Sequence, residues 1–354
     1  MNSILVTATR EGVGKTGIAL GLALEASERG RSVGYMKPKG TRLQSYGGGI
    51  VDTDPMLARE LLGLDAAVEE MVPIVYSATF VGQAIRDGTE PTEIHRLVRD
   101  RFRTLADGHD LMVIEGGGSL TTGGTIALTD VDVAELLDAE VLLVTPYERP
   151  EDVDGILAAT DRIGDRLAGI LFNPVADEQF DYLQESVIPF LEARGLPVLG
   201  VLPRVKELAG VTVAELVDHL NAEQLTDSGE GATVERFLVG AMTSDSALRY
   251  FRRTRDTAVI TGGDRADLQS VALETSGVTC LILTGGFAPS DAILGKAEAT
   301  NVPVLLVRTD ALATVERAEE IVRSGRVRDE HTVRVVRDLL TDHADVDAIL
   351  GEPD

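Results

Sequence analysis

The chain has 354 residues, 44% of them hydrophobic, and a formal net charge of −25 from 58 acidic and 33 basic residues. At roughly 100–200 residues per domain, two domains with packed cores are expected. So large an acidic excess, with no Trp and 4% aromatic residues, argues against nucleic acid or an anionic membrane as a partner, and no stretch approaches the ~20 apolar residues of a membrane span.

Short β-branched runs alternate with longer amphipathic stretches. Ile4-Leu5-Val6 reads as a strand and Ile18 to Glu28 as a helix. Further strands are expected at Ser32 to Met36, Leu111 to Ile114, Val141 to Val144, Gly169 to Phe172 and Val198 to Val201, with helices such as Met56 to Leu62, Thr92 to Leu105 and Phe180 to Glu192 between them. Continuous apolar strands separated by helices predict a parallel sheet covered on both faces. The polar run Asn221 to Ala232, with two Gly and no periodicity, reads as a linker. Beyond it, strands are expected at Arg236 to Val239, Ala258 to Thr261, Thr279 to Leu283 and Val304 to Val307. Helices are expected at Asp267 to Glu274, Asp291 to Ala299, Thr314 to Val322 and Asp329 to Leu340. The fold class is therefore α/β: a parallel-sheet domain at 1–221, a linker at 222–232 and a smaller α/β domain at 233–354.

Only five of the 33 basic residues are Lys (Lys15, Lys37, Lys39, Lys206 and Lys296), leaving 28 Arg. An acidic, Lys-poor surface points to a halophilic, haloarchaeal source; an acidic protein of a high-GC mesophile is the other reading. The single Cys280, in the apolar run V-T-C-L-I-L, forbids an intrachain disulfide and reads as a buried small residue in a reducing cytoplasm. The amino terminus, M-N-S-I-L-V-T-A-T-R, is too short for a signal sequence before the first motif begins.

That motif is T-A-T-R-E-G-V-G-K-T, Thr7 to Thr16. It follows a strand and opens a helix, the context of a phosphate loop, and marks 1–221 as a parallel-sheet P-loop NTPase domain. Amides along Arg10, Glu11, Gly12, Val13 and Gly14 can cradle phosphate oxygens, with the helix dipole behind them. Lys15 then reaches the β- and γ-phosphates of ATP, and the Thr16 hydroxyl holds Mg²⁺. Thr9 stands where the strict pattern has Gly. Arg10 sits where some two-fold-symmetric P-loop ATPases carry a signature lysine; a solvated surface Arg is the other reading.

Other candidates lie at carboxyl ends of strands, which face the ligand crevice of a parallel sheet. In Lys37-Pro38-Lys39, a Lys can neutralise a phosphate or a substrate carboxylate; a solvated loop residue is the other reading for each, with more weight for Lys39. In Val51-Asp52-Thr53-Asp54-Pro55, one acid can cap the next helix and Asp54 can bind Mg²⁺ directly or through water. Glu115 ends the apolar run Leu111 to Ile114 beside Gly116-Gly117-Gly118 and is placed as a Walker-B-type Mg²⁺ ligand. Asn173 can pair with an adenine edge or form a turn.

With T-x-T-x-x-G-V-G-K-T, K-P, D-T-D, V-I-E-G-G-G-S-L, F-N-P-V and P-V-L-G-V-L-P-R in this order, residues 1 to about 220 resemble the dethiobiotin synthetase-like family. That family includes the ATP-binding half of cobyrinic acid a,c-diamide synthase and the N-terminal domain of long phosphotransacetylases. The resemblance implies that Lys15, Thr16, Asp54 and Glu115 handle ATP–Mg²⁺, that Lys37 faces a carboxylate substrate and that Asn173 faces adenine. Residues from about 233 to 325 resemble the DRTGG domain through Asp264-Arg265 and Thr284-Gly285-Gly286; for Asp264 and Arg265 a structural ion pair or helix cap is one reading, and a small-molecule sensor site beside the Gly285-Gly286 turn the other. The pairing resembles the front portion of a long phosphotransacetylase, and the end of the sequence at Asp354 leaves the acetyl-transferring domain expected to be absent.

Two functional readings follow. One is a regulatory ATP–Mg²⁺-binding protein with a small-molecule metabolite on its second domain and an acyltransferase as partner. The other is an ATP-dependent ligase that activates a carboxylate or carbamate as a mixed phosphoric anhydride. Relatives of this class also suggest a homo-oligomer.

Overall fold

The computed structural model describes residues 2–46, 49–88, 90–205, 208, 210–229, 231–323 and 329–351. They form two compact units, Met1–Val205 with Val327–Asp354, and Lys206–Arg326.

The first unit is built on six parallel strands: β1 (Asn2–Ala8), β2 (Val33–Met36), β3 (Leu111–Glu115), β4 (Glu140–Tyr147), β5 (Leu167–Val175) and β6 (Val198–Pro203), in the spatial order β6-β5-β4-β1-β3-β2. All pairings are parallel. β3 and β2 are buried along their whole length, the signature of strands covered on both faces. Helix α1 (Lys15–Glu28) is buried from Lys15 through Ala26. Its sequence K-T-G-I-A-L-G-L-A-L-E-A-S-E is small and apolar on nearly every side, which suits a helix enclosed all round. Helices α2 (Asp54–Leu62), α3 (Pro91–Ala106), α4 (Asp130–Leu137) and α5 (Asp152–Ile163) follow. The helix expected from Phe180 starts at Asp177 and contains a π turn at Leu183–Val187 before ending at Glu192. The segment after β2 also carries a hairpin, Leu43–Tyr46 with Gly49–Asp52, that the sequence pattern did not announce.

In the second unit, helix α6 (Val213–Leu220) precedes β7 (Arg236–Val239), α7 (Ser244–Phe251), β8 (Thr257–Gly262), α8 (Ala266–Leu273), β9 (Val278–Thr284), α9 (Asp291–Ala299), β10 (Val304–Leu306) and α10 (Ala311–Arg323). β7 to β10 are parallel neighbours in chain order. Alternation along them feeds two cores. Ala258, Ile260, Cys280 and Ile282 pack with Leu216 and Ala318 on one face. Val259, Leu281 and Leu283 pack with Phe251, Leu268 and Ile293 on the other. This is the period-two signature of a sheet between two helical layers.

The division differs from the one read in the sequence. Glu223–Gln224, inside the expected linker 222–232, pairs antiparallel with β10 and α6 belongs to the second unit. The chain then returns to the first unit, where α11 (Glu330–His343) and α12 (Val346–Leu350) complete it. Gly21 of α1 makes room for α11: a Cβ there would meet Leu340 at 3.0 Å and Val336 at 3.4 Å. Among the described residues, no helix is long and apolar enough to cross a membrane.

Candidate functional site

The loop between β1 and α1 leaves Arg10, Glu11, Gly12 and Gly14 exposed, while Val13, Lys15 and Thr16 are buried. Gly14 caps α1 at φ 88°, and a Cβ there would stand 2.6 Å from Asn173 Nδ2. Both observations require glycine. No side chain caps α1 and its first turn carries no acid, so the helix start suits an anion. Thr9, in the place of the consensus Gly, ties the loop to β4: its amide donates to the Val144 carbonyl at 3.2 Å and its hydroxyl lies 3.1 Å from Thr145 Oγ1.

Below the loop, buried charges converge from four elements. Thr16 Oγ1 donates to Glu115 Oε1 at 2.7 Å and lies 3.2 Å from Asp54 Oδ2. Tyr35 on β2 donates its hydroxyl to Glu115 Oε2 at 2.5 Å. The Lys37 ammonium sits among three acids: it pairs with Asp54, lies 2.9 Å from Asp52 Oδ2 and 3.4 Å from Glu115 Oε1. Arg42 closes the cluster at Asp54 Oδ1, 2.6 Å away, and its amide donates to Asp52 Oδ2 at 3.0 Å. Asp52 also accepts from the amide of Asp54 at 3.1 Å, so of the two acids it is Asp52 that braces the entry to α2.

Electrostatics follow the burial. Desolvation works against the Lys37 ammonium, but Glu115, Asp54 and Asp52 together outweigh it and raise its pKa. Burial likewise opposes the Asp54 carboxylate, yet Lys37 and Arg42 hold its pKa below the ordinary value. Glu115 and Asp52 are pushed up, first by burial and further by the neighbouring Asp54. Lys15 is pulled down by burial, against the support of Asp130 and Glu115; its Nζ donates to the carbonyl of Gly118.

The structure thus brings together Lys15, Thr16, Lys37, Asp54 and Glu115. Arg10 instead pairs with Glu148 on the exposed rim. Asn173 turns its amide onto the loop, donating to the Val13 carbonyl at 2.8 Å. Lys39, for which a solvated loop residue and an anion partner were both open, is buried and paired with Asp130. Tyr35, Arg42 and Asp130 were not anticipated. The scarcity of Lys was a usable signal for Lys39; an acid opening α4 carried none for Asp130.

Among the described residues, no group of three or more His, Cys, Asp or Glu side chains is arranged to hold a metal. One hydroxyl and two carboxylates, Thr16, Asp54 and Glu115, nevertheless fit Mg²⁺, which takes one or two carboxylates when phosphate oxygens and water complete its shell.

In the second unit, adjacent parallel strands bring the two halves of the second motif side by side. The Gly263 amide donates to the Thr284 carbonyl at 3.2 Å, and a Gly263 Cβ would stand 1.9 Å from the Phe287 carbonyl oxygen. The Gly285 and Gly286 amides donate to the carbonyls of Thr309 and Val307, each at 2.9 Å. Arg265 pairs with Asp267 at 3.0 Å and donates to the Met242 carbonyl at 3.1 Å, so the ion pair is not Arg265 with Asp264.

A family model described as an AAA domain, AAA_26, matches residues 2–212. The chain belongs to this AAA-domain family. A DRTGG domain matches residues 215–321, close to the second unit. Along 364 residues the chain is 24% identical to the phosphate acetyltransferase of Pseudomonas putida, covering 98% of this chain and 51% of that protein. The ATP-dependent dethiobiotin synthetase BioD of Frankia casuarinae is 30% identical over 210 residues, covering 57% of this chain and 84% of that enzyme. Among solved structures, the MinD cell division protein of Aquifex aeolicus matches at 15% identity and TM-score 0.38, over 59% of this chain and 84% of that one. The chain spans about half the length of the phosphate acetyltransferases it matches. Its AAA domain is a P-loop ATPase-like domain related to dethiobiotin synthetase and to the N-terminal region of phosphate acetyltransferase.

Proposed function

We propose that the AAA domain binds ATP–Mg²⁺ and acts as a regulatory module, with a small-molecule metabolite on the DRTGG unit and an acyltransferase as its client. Lys15 and the amides of Gly12 to Lys15 neutralise and cradle the phosphates, and Thr16, Asp54 and Glu115 hold Mg²⁺, which would draw charge from the β- and γ-phosphate oxygens. The observation that carries regulation over synthesis is the DRTGG unit at 215–321 beside the AAA domain: the alignment with dethiobiotin synthetase covers 57% of this chain, that with phosphate acetyltransferase 98%. The alignment of both units along phosphate acetyltransferases supports the nature of the client. We take a homo-oligomer as the working assembly.

Calorimetry with ATP–Mg²⁺ on the wild type and Lys15→Ala tests the nucleotide site: binding by the first and its loss in the second is expected, and equal binding by both refutes it. Co-purification with an acyltransferase, together with ADP release that responds to a metabolite, is the expected regulatory behaviour. A second reading, a ligase forming a mixed phosphoric anhydride, is favoured by the convergence of Lys15, Thr16, Asp54 and Glu115 on one site. Sustained turnover with diaminopelargonate and bicarbonate would establish it and displace the regulatory one.

A further inference from the structure

Lys39 and Asp130 form a pair that the reading above does not use. They are 1% and 0% exposed. The Lys39 ammonium pairs with Asp130 Oδ1, and Thr7 at the end of β1 donates its hydroxyl to Asp130 Oδ2 at 2.5 Å. Two ions taken this far from water generally stabilise a fold no better than apolar residues of the same volume. Three of the chain's five Lys, Lys15, Lys37 and Lys39, are buried.

The surroundings of the Lys39–Asp130 pair indicate its purpose. The segment after Glu115 is moulded around the pair. A Cβ on Gly116 would stand 2.1 Å from Asp130 Oδ2, one on Gly117 would stand 2.5 Å from the Lys39 carbonyl oxygen and 2.7 Å from its Cγ, and one on Gly123 would stand 3.2 Å from its Cδ. Backbone bonds fix the same segment to β1: the Gly116 amide to Val6 at 2.9 Å and the Leu120 amide to Ala8 at 2.8 Å. The Asp130 amide in turn donates to Leu120 at 3.3 Å. Held at both ends, the segment presents the carbonyl of Gly118 to Lys15 Nζ.

We propose that Lys39 and Asp130 are positioning residues of the phosphate site. They hold Gly116–Gly118 so that the Gly118 carbonyl keeps the place of a terminal phosphate oxygen at Lys15, and they thereby set a preference for nucleoside triphosphate over diphosphate. Binding then exchanges one oxygen acceptor for another at a lysine already aimed. This rests on the ATP-binding reading and adds the discrimination between ATP and ADP.

The test compares ATP–Mg²⁺ and ADP–Mg²⁺ affinities by calorimetry in the wild type, in the double variant Lys39→Met/Asp130→Asn, and in Thr7→Val, which keeps both charges. Removing both charges together avoids leaving one ion buried alone. The expected result is a fall of about tenfold in the ATP-over-ADP ratio for the double variant and a smaller fall in the same direction for Thr7→Val. If the double variant does not fold, Thr7→Val carries the test. An unchanged ratio in the folded variants overturns the proposal. Amide hydrogen exchange without nucleotide is the independent readout: Gly116 and Leu120 should lose protection in the variants while the rest of β1 and β3 keeps it. Unaltered protection at those two amides overturns the proposal, whereas a wild type that binds neither nucleotide overturns the ATP reading itself.

Discussion

Lys37→Met removes one ammonium from the midst of three carboxylates while keeping most of the side-chain volume. Asp52, Asp54 and Glu115 are all nearly inaccessible, and Arg42, which reaches Asp54, cannot neutralise all three. Breaking a buried ion pair by removing one partner costs about 3–5 kcal/mol. For a unit of this size that lowers the melting temperature by about 6–20 °C at pH 7. The pH dependence fixes the mechanism. In the wild type, the raised pKa of Lys37 means that its contribution is complete below the ordinary lysine value and is lost only as pH rises through the raised one. The lowered pKa of Asp54 gives a contribution present above its ordinary value and lost as pH falls. Without Lys37, all three acids take up protons more readily, and protonation relieves their repulsion. The gap between variant and wild type should therefore narrow as pH falls from 7 toward 5. Added MgCl₂ should raise the variant's melting temperature more than the wild type's, since a divalent cation can replace the missing charge between Asp54 and Glu115. Calorimetric melts across pH and MgCl₂ provide the measurement. A loss below about 2 °C at pH 7, or a gap that widens as pH falls, would refute the reasoning.

Three further outcomes are expected. Gly263→Ala places a Cβ 1.9 Å from the Phe287 carbonyl oxygen and should destabilise the DRTGG unit by about 1–3 kcal/mol in urea melts; an unchanged midpoint would show that the two loops separate easily. Cys280, whose thiol pKa burial pushes up to about 12, should resist a thiol-specific reagent at pH 8 in the native protein and react once per chain after denaturation, so rapid native labelling would contradict its place in the core. Because the net charge is −25, raising KCl should raise the melting temperature by screening self-repulsion, and a melting temperature indifferent to KCl would remove the halophilic reading.

The parallel sheets were legible because nearly every strand is a short apolar run, and β3 reads as a strand from Leu111-Met112-Val113-Ile114 alone. The phosphate loop was legible because its residues are contiguous. Asp130 was not: its partners Lys39 and Thr7 lie 91 and 123 residues away, and an acid in the first turn of a helix ordinarily serves the helix dipole. Lys39 stayed open between two readings because lysines are rarely buried without a partner, and the partner could not be seen. Glu223–Gln224 looked like linker because a two-residue edge strand has too few positions to show alternation, and its pairing with β10 is set by a segment some 80 residues later. Nor does the periodicity of Glu330–His343 reveal what its apolar face covers.

That last helix bears on how the molecule is made. Residues 1–205 leave the ribosome first, yet α1 gains α11, with Val336 and Leu340 seated over Gly21, only after the whole DRTGG unit has been translated. The inserted unit is thus synthesised to its end while the earlier sheet still waits for its last helical cover. Within these residues, the sheet laid down by 1–205 acquires the cover of α11 only once 206–326 have been made.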